Sequence, residues 1–235
     1  MSSINDHGRA RMALLGSVIV TVLLYVVPYG QVLAWPLILL STLAHEMGHG
    51  IAAVLVGGDF DSFVMYADAS GLATWSGDVN RLQRAFVSAG GLVGPAVAAA
   101  ACFAIGRSER AARISLVLLG LGLLLAELLV VRNLFGFAFV GTVAAMCLGL
   151  GLRGKASAQW GVLFVGVQLA LSVFSRADYL FTATASTGAG AHPSDVANIA
   201  EALLLPYWFW GGAVGLLSVL VLVLGLASFF RTARA

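Results

Sequence analysis

Apolar residues run along this chain in long blocks parted by short polar segments, and the blocks have the length of membrane-crossing helices. Roughly 20 predominantly apolar residues suffice to cross the hydrocarbon core as an α-helix. On that rule the pattern predicts seven spans, at about residues 12–29, 33–56, 84–106, 112–131, 134–152, 158–175 and 207–230. Only Arg132 and Asn133 separate the fourth from the fifth. No repeat and no soluble domain is evident, so residues 1–235 read as a single integral membrane domain. The expected fold is an all-α polytopic membrane protein of six to seven transmembrane helices, with a short β-hairpin after the second.

That hairpin is predicted in the connection from Gly58 to Asn80. Phe60 to Tyr66 and Leu72 to Trp75 are rich in aromatic and β-favouring residues, and Ala67-Asp68-Ala69-Ser70-Gly71 between them supplies turn chemistry. A second long connection, residues 176–206, holds a Thr/Ala/Ser/Gly stretch from Thr182 to Ala191 that reads as a flexible link. After it, "PSDVANIAEALLLP" predicts a short helix, opened by Ser194 or Asp195 and stopped before Pro206, lying along the membrane surface as a lid. Tyr207 to Trp210 mark the membrane interface where the last span begins.

Composition agrees with the pattern. Sixty per cent of the residues are hydrophobic and 10% charged, and the mean hydropathy is +0.96. Lipid solvates such a surface where water would not. The net charge of +2 is spread along the chain and argues against nucleic-acid binding. Cys102 and Cys147 lie in apolar runs and read as buried free thiols. Arg9 and Arg11 before an apolar run imitate a signal peptide, but a second span follows at once, so the first is read as uncleaved. Basic residues divide almost evenly between the two sides, and membrane orientation is left open.

Within the second span stands "STLAHEMGHGIAAVLVGG", residues 41–58, with an H-E-x-x-H motif at His45, Glu46 and His49. On a helix, residues i and i+4 share a face, so both imidazoles can reach one metal ion, and Glu46 lies beside them to take a proton from water. Ionisable groups inside a membrane span cost several kcal/mol unless they pair or function. The motif therefore points to a zinc site.

"AHEMGHGIAA" is similar to the first motif of the site-2 proteases, the zinc metalloproteases embedded in membranes, and of their small bacterial relatives in particular. The hairpin segment that follows, and "SAGGLVGPAVAAA" (residues 88–100), resemble that family's hairpin and small-residue Gly-Pro span. Gly90 and Gly94 have the spacing that lets helices approach closely. The resemblance covers about residues 33–106, and more loosely 158–230 at "RADYLF" and "PSDVANIAEAL", which together would form the metal-site core. Two features depart from the family. Its Leu-Asp-Gly segment, carrying the third zinc ligand, is absent, and Ala96 stands where an Asn often follows the Gly-Pro.

A catalytic zinc takes three protein ligands and keeps one position open. Asp178, at the end of the sixth span, is the favoured third ligand, although it also reads as a partner of Arg176. That role requires the end of the sixth span to pack near Gly48 and Gly50. Asp195 is the alternative ligand, otherwise a helix N-cap. His192 reads as solvated and Glu127 as a partner of Arg132. Asn133 is the candidate oxyanion stabiliser, or else glue between helices.

The resemblance implies a zinc-dependent intramembrane endopeptidase in the bacterial cytoplasmic membrane, acting on a helix of another membrane protein, with Zn2+ as cofactor and the lipid bilayer as surroundings. The hairpin would hold substrate as an added strand. Two other readings stay open: a catalytically silent zinc-binding scaffold or regulator of the same fold, and a small cation or proton transporter.

Overall fold

The computed structural model describes residues 2–175 and 177–231. Its helices are α1 (Ser2–Val26), α2 (Gly30–Leu55), α3 (Arg81–Gly106), α4 (Glu109–Leu129), α5 (Leu134–Arg153), α6 (Lys155–Ser175), α7 (Asp195–Leu203) and α8 (Tyr207–Phe230). Strands β1 (Asp59–Met65) and β2 (Gly71–Ser76) follow α2. A 3-10 turn (Ala177–Phe181) and strands β3 (Thr184–Thr187) and β4 (Gly190–Pro193) separate α6 from α7.

Among the described residues, six helices are long and apolar enough to cross a membrane: Val32–Leu55, Arg81–Gly106, Glu109–Leu129, Leu134–Arg153, Lys155–Phe181 and Tyr207–Phe230. The first of the seven expected spans lies in α1, which is not among these six. It packs on α6, where Gln168 Nε2 donates to Thr21 Oγ1 and Ser17 lies buried one turn away. Leu216, Leu220 and Leu224 repeat every four residues on α8, all exposed. Such a stripe suits a surface that faces lipid. The protein is an integral membrane protein of helices, carrying two small antiparallel sheets.

The helices end where the sequence supplies caps. Asn80 and Gln83 form a reciprocal capping box at the start of α3. Ser108, Asn133 and Ser194 cap α4, α5 and α7.

At the centre, α3 packs against α2, α6, α7 and α8. Small residues set its approach to α2. A Cβ on Gly48 would strike the Gly90 carbonyl, and one on Gly94 would come within 2.8 Å of the Ala44 carbonyl. The backbones are therefore nearly in contact, as the small-residue spacing at Gly90 and Gly94 implied.

The first hairpin forms where the sequence placed it. Phe63 pairs with Ala73 and Met65 with Gly71, with an irregularity between Phe60 and Ser62. The outer edge of β1 is occupied too. Phe63 N–H donates to Val130 O (2.7 Å), and Arg132 N–H donates to Phe63 O (2.9 Å). One residue pair further on, the Asn133 side chain replaces a peptide group, accepting from Met65 N–H (3.2 Å) and donating to Met65 O (2.6 Å). It also accepts from Gly136 N–H at the start of α5.

The stretch expected to be slack is instead the second hairpin, pairing Ala185 with His192 and Thr187 with Gly190. Its tip meets the first hairpin's turn, where Gly188 N–H donates to Ser70 Oγ (3.0 Å) and Ser70 Oγ donates to Asp68 (2.6 Å). Those Ser70 hydrogen bonds hold the Asp68 carboxyl below the usual carboxylate range. Helix α7 is docked, with Val196, Ile199 and Ala202 packed among Ala85, Leu92 and Val214 of α3 and α8.

Candidate metal centre

Helix α2 presents His45 and His49 one turn apart, with their Nε2 atoms 3.2 Å from each other. Asp195 closes the group, with its carboxylate oxygens 3.0 Å from His45 Nε2 and 3.3 Å from His49 Nε2. These are the described residues that come together as possible metal ligands. Ser194 makes this possible. Its side chain accepts from Ala197 N–H (3.2 Å) and donates to Thr182 O (2.6 Å), so the cap is filled and Asp195 is left to face α2.

The donor set fits a divalent cation. His49 Nδ1 lies 2.9 Å from the Val87 carbonyl, which can only accept, so this nitrogen carries the proton and Nε2 keeps its lone pair. Two imidazole nitrogens and a carboxylate converge. Ligand atoms held tetrahedrally at about 2.0 Å stand about 3.3 Å apart. The 3.2 Å between the two imidazole nitrogens matches that edge, and each carboxylate oxygen of Asp195 lies against one of them. Two histidines and a carboxylate leave a fourth position open, the arrangement of catalytic zinc.

Asp195 is buried where it faces the two histidines. Tyr179 Oη donates to the same carboxylate (3.3 Å). Gly91 leaves the space His49 needs, since a Cβ there would strike the imidazole.

Glu46 is buried beside the group, and its Oε2 accepts from Ala73 N–H (2.7 Å). Gly71 lets β2 sit this close to α2, because a Cβ at that position would meet Glu46 Cγ at 2.8 Å and Thr42 Cγ2 at 2.9 Å. The residues converge on a cavity of about 360 Å³ lined by both hairpins, α2, α3 and α7.

The other candidates stand elsewhere. Asp178 is exposed on the 3-10 turn and is not among the residues that come together; Asp195 stands beside the two histidines where Asp178 was expected. The space at Gly48 and Gly50 expected to receive the end of α6 is filled by Gly90 and the Phe60 ring. The pairing of Asp178 with Arg176 lies outside the described residues. Asn133 is spent on Met65 and the α5 cap, which ties it to hairpin packing and away from an oxyanion. Arg132 donates to the Val131 and Leu129 carbonyls, and no ion pair joins it to Glu127 among the described residues. His192, expected in solvent, is half-buried on β4 and lines the cavity. Tyr179 and Asn198 also line it and were not singled out from the sequence. Asn198 was findable, standing three residues after Asp195 on the same helix face.

Comparison with curated proteins and with solved structures returns no match. A family model described as Peptidase M50B-like matches residues 16–225, nearly the whole chain and all of the residues that form the centre. The peptidases of this group are zinc metalloproteases. By that match the chain belongs to the Peptidase M50B-like family, the site-2 proteases.

Proposed function

We propose that this protein is a zinc-dependent intramembrane endopeptidase that hydrolyses peptide bonds of membrane-embedded substrates. The observation that carries the reading is the Glu46 carboxylate, which stands between a three-ligand cluster and the edge of a β-strand. His45, His49 and Asp195 would hold the zinc. When bound, the ion supplies Lewis acidity to the scissile carbonyl and to the attacking water.

The chain's own groups do the rest. Phe63 turns its N–H and C=O outward to Val130 and Arg132, so its partner Ala73 turns its own amide toward Glu46 and the cavity. An extended substrate segment would add along this edge of β2, which exposes peptide bonds that a helix would shield. Glu46 accepts the proton of the attacking water and delivers it to the leaving amine. Burial of Glu46 and His49 limits competing water.

The test is cleavage of fluorescein-labelled casein by purified protein in detergent, with zinc content measured alongside. Glu46→Gln should retain about one zinc per chain and lose turnover, because an amide cannot accept the proton. Undiminished cleavage by Glu46→Gln removes the proposed mechanism.

A further inference from the structure

We propose that the Asn198 carboxamide stabilises the oxyanion of this reaction; the inference rests on the peptidase reading above. Addition of water to a carbonyl drives charge onto the carbonyl oxygen. Peptidases meet that charge with preorganised N–H donors, and removing one costs about 10²–10³-fold in kcat.

The cavity is lined by several hydroxyls, and apart from the two histidine ligands its side-chain N–H groups are those of Trp75, Arg84, His192 and Asn198. Tyr179 Oη is committed to Asp195. His192 Nδ1 lies 3.0 Å from Pro193 O, so the proton on that nitrogen is committed to the carbonyl. Arg84 is exposed in the first turn of α3. Asn198 lines the cavity, and among the described residues its side chain makes no hydrogen bond.

Its position suits the role. Asn198 follows Asp195 by three residues on α7, so the two side chains share a face with Cβ atoms about 5–6 Å apart. Asn198 N–H donates to Ser194 O (2.9 Å), which fixes the backbone in the capped first turn. Buried Val196 and Ile199 anchor the helix against α3 and α8. A carboxamide offers two N–H groups and does not ionise, so the donor persists across pH.

The step balances on these residues. The water oxygen bonds to the carbonyl carbon, its proton passes to Glu46, and the π electrons move to the oxygen facing Asn198 Nδ2. Collapse restores the carbonyl, breaks the C–N bond and returns the proton from Glu46 to the amine.

Two readouts on zinc-loaded full-length protein test this: casein turnover, and affinity for a phosphinic peptide, whose tetrahedral oxygens mimic the oxyanion. Asn198→Ala should lower kcat about 10²–10³-fold with KM within about threefold, and weaken the phosphinate comparably, with zinc retained. Asn198→Asp, nearly the same size, should do no better, and it carries the test if the alanine variant misfolds. Full kcat and phosphinate affinity in the Asn198 variants, with Glu46→Gln inactive, overturn this inference alone. Wild-type protein that neither cleaves casein nor binds the phosphinate overturns both it and the peptidase reading.

Discussion

The amide of Ala73 donates to Glu46 Oε2 across 2.7 Å, joining the free edge of β2 to the carboxylate in the middle of the H-E-x-x-H motif. A strand edge that would receive an extended peptide thus fixes the proposed proton acceptor before any peptide arrives. Ala73→Pro removes this donor from an edge position where proline is tolerated. A hydrogen bond to a charged group contributes about 1.5–3 kcal/mol. We expect cleavage to fall at least about tenfold with zinc content unchanged, read by parallel metal analysis and casein assay. Wild-type turnover would show that Glu46 is oriented by other contacts.

Asp195→Ala should strip zinc from the purified protein as thoroughly as His45→Ala, whereas Asp178→Ala should leave about one zinc per chain. The prediction follows from the 3.0 and 3.3 Å separations at Asp195 and from the exposed position of Asp178. Metal analysis after dialysis decides it, and retention by Asp195→Ala would exclude the ligand set.

Gly91→Ala should weaken zinc binding without replacing a ligand. The added methyl meets the His49 ring, which the Val87 carbonyl holds in place. Disturbing such support typically costs about 10–100-fold in metal affinity. Competition with a chelator of known affinity measures the change. An unchanged constant would mean that the ring relocates freely.

Asn133→Ala should loosen the first hairpin. It leaves the Met65 N–H and C=O without their partners, and an unsatisfied buried polar group costs about 1–3 kcal/mol. Amide exchange at Met65 and Val64 should accelerate by about tenfold or more, while α8 stays unchanged. Equal protection in mutant and wild type would contradict the strand-like role of this side chain.

The sequence made the metal helix legible because three ionisable groups in an apolar span have no cheap structural explanation. The first hairpin was legible because β-favouring runs flank Asp68, Ala69 and Ser70. The second was not. Thr184 to Thr187 and Gly190 to Pro193 carry little hydrophobic alternation, and their pairing is supported by the contact of Gly188 with Ser70 and Tyr66, which no local pattern encodes. The order of the two aspartates failed for a related reason. Asp195 fitted a capping role that Ser194 fills, and Asp178 sat close to a span without facing into it. Asn133 stayed open between an oxyanion role and glue between helices, because a carboxamide imitating a peptide leaves no trace in periodicity.

Cys102 and Cys147 are both free thiols, so no disulfide between them holds the fold. A cation shared by His45, His49 and Asp195 would supply a covalent-like staple, tying the second helix to a segment near the other end of the chain. Closing so long a loop restricts the unfolded ensemble much as a disulfide does. Chelation should then act mechanically as well as chemically. The segment from residue 177 to residue 206 would lose its tether and become the first place a soluble protease nicks, while helices α3 to α6 stay intact.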